Sequence, residues 1–239
     1  MRLASLALLL PLAALAQTET RELVGQIGSR GALLVLHAAR SDEGAWQLAG
    51  EYIVLPTLQR RFLEGEASPQ IGVTTLREGV TPILFGRPTT GELRGTLSEG
   101  SFKGTRYAPG GQERERFEFT ADFPPMDAYS ARVACEASAA RYKSEVSYTI
   151  NGGRLQALDW RASVAPSGHV CNIGKLEQQP WKGGLRFTSG RCAVTLRELG
   201  DYVRLAAENC TEQCGSEAYL EPLLIDRRGN CRLLRADTR

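Results

Sequence analysis

Apolar residues occur in short runs along this chain, and turn residues separate the runs. In the first half, GALLVLH, EYIVL, RRFLEGE, TTLREG and GELRGTL are separated by segments that contain Gly, Pro, Asp or Ser. Strands at spacings of about 8–12 residues with turn signals between them are typical of antiparallel meanders, sandwiches and barrels. No long helical period accompanies them. The pattern therefore predicts an all-β protein.

The clearest hairpin in the first half is SFKGTRYAPGGQERERFEFTADF. A two-residue turn at 110–111 uses glycine, which adopts positive φ without steric cost. This turn sets Phe102 opposite Phe119 and Gly104 opposite Phe117. Because side chains alternate along a strand, the three phenylalanines share one face. The run ERERFEF is then the solvated face of a strand rather than a binding patch.

A second hairpin lies in KSEVSYTINGGRLQALDWRASV. A three-residue turn at 151–153 sets Val146 opposite Leu158 and Ser144 opposite Trp160. Apolar residues of both strands then share a single face. The second half of the chain is thus predicted to be antiparallel as well.

The cysteines divide the chain into two parts. None occurs in residues 17–134, and all six lie beyond: Cys135, Cys171, Cys192, Cys210, Cys214 and Cys231. We predict two antiparallel β domains, each a meander, a sandwich or a small barrel, with the second stapled by disulfides. The predicted organisation is a signal peptide at 1–16, a cysteine-free domain at 17–123, a proline-rich linker at 124–127 and a cysteine-rich domain at 128–239.

The pair in CTEQC has three interpretations. A zinc site needs four ligands, and no second close pair of cysteines accompanies Cys210 and Cys214. A redox pair favours C-x-x-C in a thioredoxin-like setting, whereas this spacing is longer and its context is β. The third interpretation is that the two cysteines belong to disulfides, because an even number of cysteines in an exported chain is typical of disulfide bonding. We predict the pairs Cys192–Cys210, Cys214–Cys231 and Cys135–Cys171, the first because its members end the two arms of one hairpin.

The first residues, MRLASLALLLPLAALAQ, resemble a secretory signal peptide. They combine a positive start, an apolar run and an A-x-A cleavage motif. The run is shorter than the roughly 20 residues that span a bilayer. We therefore expect a periplasmic or secreted protein that has no integral membrane segment after cleavage.

Composition and motifs exclude several functions. The net charge is +2, and aromatic residues show no base-stacking pattern, so no nucleic-acid partner is expected. The chain has no P-loop, dinucleotide fingerprint, H-E-x-x-H, EF-hand or G-x-S-x-G motif. We predict no cofactor, no metal and no catalytic residue, so a non-enzymatic role is favoured and an enzymatic role stays open.

Two groups of motifs resemble those of exported bacterial proteins. LAGEYIV, RRFLEGE, TTLREG and GELRGTL…FKGTRY are similar to a G-x-Y, L-x-G, L-x-E and G-x-W rhythm of glycine-bearing β-repeat modules, with Arg106 or Tyr107 near the place of the Trp. CTEQCGSEAYLE resembles the ending of cysteine-rich domains of the lysozyme-inhibitor neighbourhood. This resemblance implies an envelope protein that binds another protein.

Two loops flanking Cys171 are candidates for such binding. Exported lysozyme inhibitors insert a loop that carries Ser and Lys into an enzyme cleft, and the resemblance extends this role to Ser167, His169, Trp181 and Lys182. Trp181 could instead be a core residue. The first hypothesis is an exported, non-enzymatic binding protein of the envelope, with inhibition of a cell-wall hydrolase as its sharpest form. The alternatives are a structural or assembly accessory and a secreted hydrolase.

Overall fold

The computed structural model describes residues 18–40, 46–55, 57–67, 72–82, 88–215 and 219–234. Its first half is a closed barrel of eight antiparallel strands, in which each strand pairs with the next and the last returns to the first. The strands are β1 (Thr18–Ile27), β2 (Arg30–Arg40), β3 (Trp46–Val54), β4 (Gln59–Ala67), β5 (Thr74–Gly79), β6 (Gly91–Leu97), β7 (Ser101–Tyr107) and β8 (Glu113–Thr120). The predicted signal peptide lies outside the described residues.

The second half contains two antiparallel sheets. A four-stranded sheet, in the order β12-β11-β10-β9, is formed by β9 (Ala131–Ala139), β10 (Tyr142–Asn151), β11 (Arg154–Val164) and β12 (His169–Ile173). A six-stranded sheet follows chain order and contains β13 (Glu177–Gln179), β14 (Leu185–Ser189), β15 (Cys192–Leu199), β16 (Tyr202–Glu208), β17 (Leu223–Asp226) and β18 (Cys231–Leu233). One core joins the inner faces of both sheets, so they form a sandwich. The predicted all-β class is confirmed.

The one helix among the described residues is α1 (Thr211–Cys214), a single turn between β16 and β17. Within the described ranges, no helix has the length and apolar character needed to cross a membrane.

Successive side chains of a strand point to opposite faces, and in the barrel strands the apolar side chains point inside. Leu23, Leu34, Leu76, Leu93, Phe102 and Phe119 are almost completely buried there. Glycines allow the strands to coil tightly around this core. Gly95 on β6 lies opposite Gly104 on β7, and a Cβ at Gly104 would lie 2.0 Å from the carbonyl oxygen of Arg94. No other residue fits such an approach without backbone movement.

The two predicted hairpins have different outcomes. In the first, Phe102 pairs with Phe119 and Gly104 with Phe117, as predicted. In the second, Val146 pairs with Trp160 rather than with Leu158, so the predicted register was wrong by two residues. The turn is tighter than predicted, since Asn151 pairs directly with Arg154, and a bulge after Thr149 shifts the register. A shift of two keeps each side chain on its face, so the predicted apolar face survives.

All six cysteines form disulfides, but two of the three predicted pairs were wrong. Cys192–Cys210 is confirmed. The other bonds are Cys135–Cys231 and Cys171–Cys214. Both connect the four-stranded sheet, through β9 and β12, to the C-terminal part of the chain. The proximity of two sheets is a tertiary feature that spacing along the chain does not encode. Cys210 and Cys214 do belong to two different disulfides, as predicted.

The barrel packs against the outer face of the six-stranded sheet. Apolar residues of β2 and β3, including Leu33, Val35 and Ile53, meet Leu199 and Leu224 in a third buried cluster. The segment between barrel and sandwich takes part in this packing. Phe123 lies in the cluster between the two units, and Met126 lies in the sandwich core. The predicted linker at 124–127 therefore directly follows a residue buried at the junction and itself contributes Met126 to the sandwich core.

Candidate functional site: the open end of the barrel

A cavity of about 450 Å³ lies at the end of the barrel where β1 begins and β2 ends. Its lining combines an apolar wall with a polar rim: Glu19, Arg21, Leu36, Ala38, Trp46, Leu48, Ala67, Gly72, Thr74, Leu97, Ser98 and Glu99. The volume falls within the range of small-molecule pockets, and eight-stranded barrels are wide enough to hold one small ligand.

The sizes of the inward side chains explain the cavity. The middle of the barrel is filled by leucines and phenylalanines such as Leu76, Leu93 and Phe102. Towards the open end, the inward positions of β2 and β4 are Ala38 and Ala67. Short side chains at these positions leave a space between the strands. Among the described residues, the cavity thus has a packed floor and a mouth that no side chain covers.

An ion pair lies at the rim of this mouth. The Nε and Nη2 atoms of Arg21 donate to the carboxylate of Glu19 at 2.8 and 3.1 Å. The Nη1 atom of Arg21 donates to the backbone oxygen of Ser98 at 3.0 Å, in the turn after β6. The hydrogen bond from Arg21 lowers the pKa of Glu19 below its ordinary value. Arg21 therefore links the start of β1 to the turn after β6 at the mouth of the cavity.

The opposite end of the barrel is closed by a buried carboxylate. Glu78 on β5 is fully buried. Its oxygens accept hydrogen bonds from Tyr52 Oη at 2.7 Å and Thr90 Oγ1 at 2.8 Å. Arg106 donates through Nε at 2.6 Å and Nη2 at 2.8 Å. Arg61 lies 3.6 Å from the same carboxylate. We call these five residues the polar plug.

The polar plug keeps Glu78 ionised. Burial pushes the pKa of Glu78 upward, but the hydrogen bonds from Arg106, Tyr52 and Thr90 outweigh this effect and hold the pKa below its ordinary value. Burial, with the neighbouring Glu78 charge, raises the pKa of Tyr52 well above its usual range. Glu78 is a charged, fully hydrogen-bonded group enclosed by protein, and this arrangement suits a structural role better than proton transfer to a substrate.

The described residues contain no group of three or more His, Cys, Asp or Glu side chains placed to hold a metal ion. The chemistry that the open end offers comes from its wall and its rim. Its wall provides apolar contacts and one indole ring, and its rim provides hydrogen bonds and charge.

The sequence-predicted binding residues lie on two separate loops of the sandwich. Ser167 lies in the exposed connection between β11 and β12, and His169 follows at the exposed start of β12. The hydroxyl of Ser167 donates to the backbone oxygen of Val164 at 3.0 Å, which stabilises this turn. His169 is the first residue of β12 and pairs with Val164.

Trp181 and Lys182 lie on the connection between β13 and β14, a different sheet. Trp181 is half-buried, and the guanidinium of Arg197 lies 4.4 Å from the centre of its ring. The same guanidinium lies 4.1 Å from the ring of Phe123. Trp181 thus belongs to the junction between barrel and sandwich. Lys182 is almost fully exposed, 3.9 Å from Asp122. The binding role of these four residues stays a prediction.

Sequence reasoning missed the open end and the polar plug. The missed signal was the strand-end position of small inward residues such as Ala38 and Ala67. For the plug, the quoted L-x-E motif contains Glu78, and Arg106 stands near the place of the Trp in the G-x-W motif. A charged residue at an inward strand position indicates a buried partner of opposite charge.

No known protein family matches this chain. No characterised protein and no solved structure matches it either.

Proposed function

We propose that this protein is an exported, non-enzymatic binding protein that takes one small, largely apolar molecule into the open end of its barrel. The observation that carries the proposal is the cavity of about 450 Å³, walled by Leu36, Leu48, Trp46 and Leu97. Pockets for small molecules have this size and are lined mainly by apolar and aromatic side chains with a few polar groups.

The asymmetry of the barrel supports this proposal. The far end is occupied by the polar plug and the middle is packed with large side chains. A ligand would therefore enter and leave at one end only. The three disulfides are compatible with an oxidising compartment. A binding role in the bacterial envelope agrees with both observations, while the sharper hypothesis of hydrolase inhibition remains a prediction.

Titration with a neutral fluorescent probe tests the proposal. N-phenyl-1-naphthylamine fluoresces in apolar surroundings, and we expect saturable binding with one probe per protein. The matched variants are Ala38→Phe, which fills the cavity, and Ala49→Phe, which places the same ring on the exposed outer face of β3. Ala38→Phe should weaken binding by about tenfold or more, a loss of about 1.4 kcal/mol.

Ala49→Phe should leave probe binding unchanged. Thermal unfolding of both variants shows whether each is folded. Absence of saturable binding in the folded wild type, or equal binding by wild type and folded Ala38→Phe, would overturn the proposal.

A further inference from the structure

We infer that the ligand of the open end is an uncharged amphiphile, with an apolar body inside the barrel and a hydroxyl or carbonyl oxygen that accepts a hydrogen bond from Arg21. This inference rests on the proposed function and names the chemical class of its ligand. Three observations lead to it: the donors of Arg21, the charges of the rim and the shape of the wall.

Arg21 has donors that its protein partners do not use. A guanidinium carries five N–H donors. Among the described residues, Glu19 accepts from Nε and Nη2, and the Ser98 carbonyl accepts from Nη1. Two N–H donors therefore remain, one on each terminal nitrogen. Because Arg21 lines the cavity, a ligand oxygen at the mouth could accept from them without displacing Glu19.

The charges of the rim disfavour a charged ligand. Within the part of the chain that the structure describes, the charged residues that line the cavity are Glu19, Glu99 and Arg21. The two carboxylates outnumber the one guanidinium, so an added anion meets net negative charge. The carboxylates attract an ammonium head group, but it would approach the guanidinium at the mouth and has no lone pair to accept a hydrogen bond from Arg21. An uncharged oxygen can accept from Arg21 and avoids both repulsions.

The wall sets the apolar part of the ligand. Leu36, Leu48 and Leu97 are lining residues, and Trp46 packs against the edge of the barrel core. The floor is the packed layer of large side chains in the middle of the barrel. An apolar chain of moderate length can therefore be buried below a head group at the rim, and affinity should rise with each methylene group that is buried.

Displacement of the neutral probe by a matched series tests the inference. The competitors are 1-decanol, decanoate and decylammonium at pH 7.5 and low salt, which share one chain and differ in the head group. We expect 1-decanol to compete at a concentration about five- to tenfold lower than either charged competitor, as one screened charge contact predicts. Tightest competition by decanoate or by decylammonium, or equal competition by all three, would overturn the inference.

Three variants test whether residues of the rim cause the preference for the uncharged head group. Arg21→Met should weaken 1-decanol about fivefold more than it weakens the neutral probe, because only 1-decanol loses a hydrogen bond to its head group. Glu19→Gln should strengthen decanoate about fivefold relative to 1-decanol, because it removes a negative charge from the rim. Arg77→Met is the control, since Arg77 is an exposed arginine on the outside of β5 that pairs with Glu64; it should change neither competitor.

The probe distinguishes the two levels of the proposal. If the probe binds and Arg21→Met leaves 1-decanol unchanged, the head-group inference fails and the binding function stands. If the probe itself shows no saturable binding to the folded wild type, both fail.

Discussion

The guanidinium of Arg106 on β7 forms a two-point ion pair with the buried carboxylate of Glu78 on β5. Nε lies 2.6 Å from one carboxylate oxygen and Nη2 lies 2.8 Å from the other. The two residues come from strands that are separated by β6. Their contact crosses the interior of the barrel at its closed end, where apolar side chains otherwise fill the space. A buried ion pair thus closes one end of the barrel, whereas the described residues at the other end surround a cavity.

Removing the guanidinium of Arg106 should destabilise the protein strongly. Arg106→Leu leaves the Glu78 carboxylate buried with weaker compensation, and breaking a buried pair on one side costs about 3–5 kcal/mol. The free energy of unfolding, measured by urea titration, should fall by about this amount. The double variant Arg106→Leu with Glu78→Leu should recover part of the loss, since no uncompensated charge remains.

The control for this prediction is Glu118→Gln, which breaks an ion pair with Lys103 on the outside of the same barrel. Both side chains of that pair are more than half exposed, and such pairs contribute about 0–1 kcal/mol. A loss in Arg106→Leu no larger than that in Glu118→Gln would show that the polar plug contributes little to stability.

The lowered pKa of Glu78 predicts a loss of stability in acid. A carboxyl group whose pKa is lower in the folded state contributes stability that is fully present above its unfolded pKa of about 4.5. This contribution is lost as the pH falls through the folded pKa. The wild type should therefore lose stability below about pH 4.5 more steeply than Glu78→Gln, which lacks the titrating group. Urea titrations between pH 3 and 7 measure the difference, and parallel curves for the two proteins would contradict the prediction.

The sequence predicted the strands of this fold better than their assembly. Local signals, such as the glycine turn between Phe102 and Phe119, specify which neighbours pair, and that register is confirmed. The bulge after Thr149 and the bond of Cys135 to Cys231 depend on twist and on contacts between distant segments. The open end escaped prediction for a similar reason. Ala38 and Ala67 are ordinary strand residues until the barrel closes and brings them to one mouth.

Replacing Gly104 by alanine should disrupt the barrel. A Cβ at this position would lie 2.0 Å from the carbonyl oxygen of Arg94 and 2.6 Å from the Cα of Gly95. The backbones of β6 and β7 would have to separate, which breaks the ladder between them. We expect a loss of several kcal/mol, as is typical of severe steric conflict. Gly100→Ala is the control, because a Cβ there meets no atom within 4 Å. Equal thermal midpoints for the two variants would contradict the prediction.

The disulfides should differ in their contribution to stability. Cys135–Cys231 closes a separation of 96 residues and Cys192–Cys210 one of 18. Loop-closure entropy in the unfolded chain predicts about 4–5 kcal/mol for the long loop and about 3 kcal/mol for the short one. Paired Cys→Ser variants of each bond, compared by urea titration, measure the two losses. Peptide mapping of the oxidised wild type is the control for the connectivity, and a larger loss from the short loop would contradict the entropic ranking.

Neutralising Glu22 should weaken the attachment of the barrel to the sandwich. The Glu22 carboxylate, on the outside of β1, accepts from Arg204 at 2.6 and 2.8 Å and from Arg197 at 3.1 Å. Burial lowers the pKa of Arg197, and Glu22 opposes that shift. Glu22→Gln therefore removes the negative charge to which two largely buried guanidinium groups donate. We expect a loss of about 2–4 kcal/mol.

Hydrogen exchange locates the effect of Glu22→Gln. Amides of β1, β15 and β16 around the junction should exchange faster than in the wild type. Amides of β10 and β11, on the far sheet of the sandwich, should exchange at rates close to those of the wild type. Glu118→Gln, on the free side of the barrel, should change none of these rates. Uniform acceleration across the whole chain would mean that the barrel and the sandwich unfold as one unit, and that Glu22 stabilises the whole molecule rather than its junction.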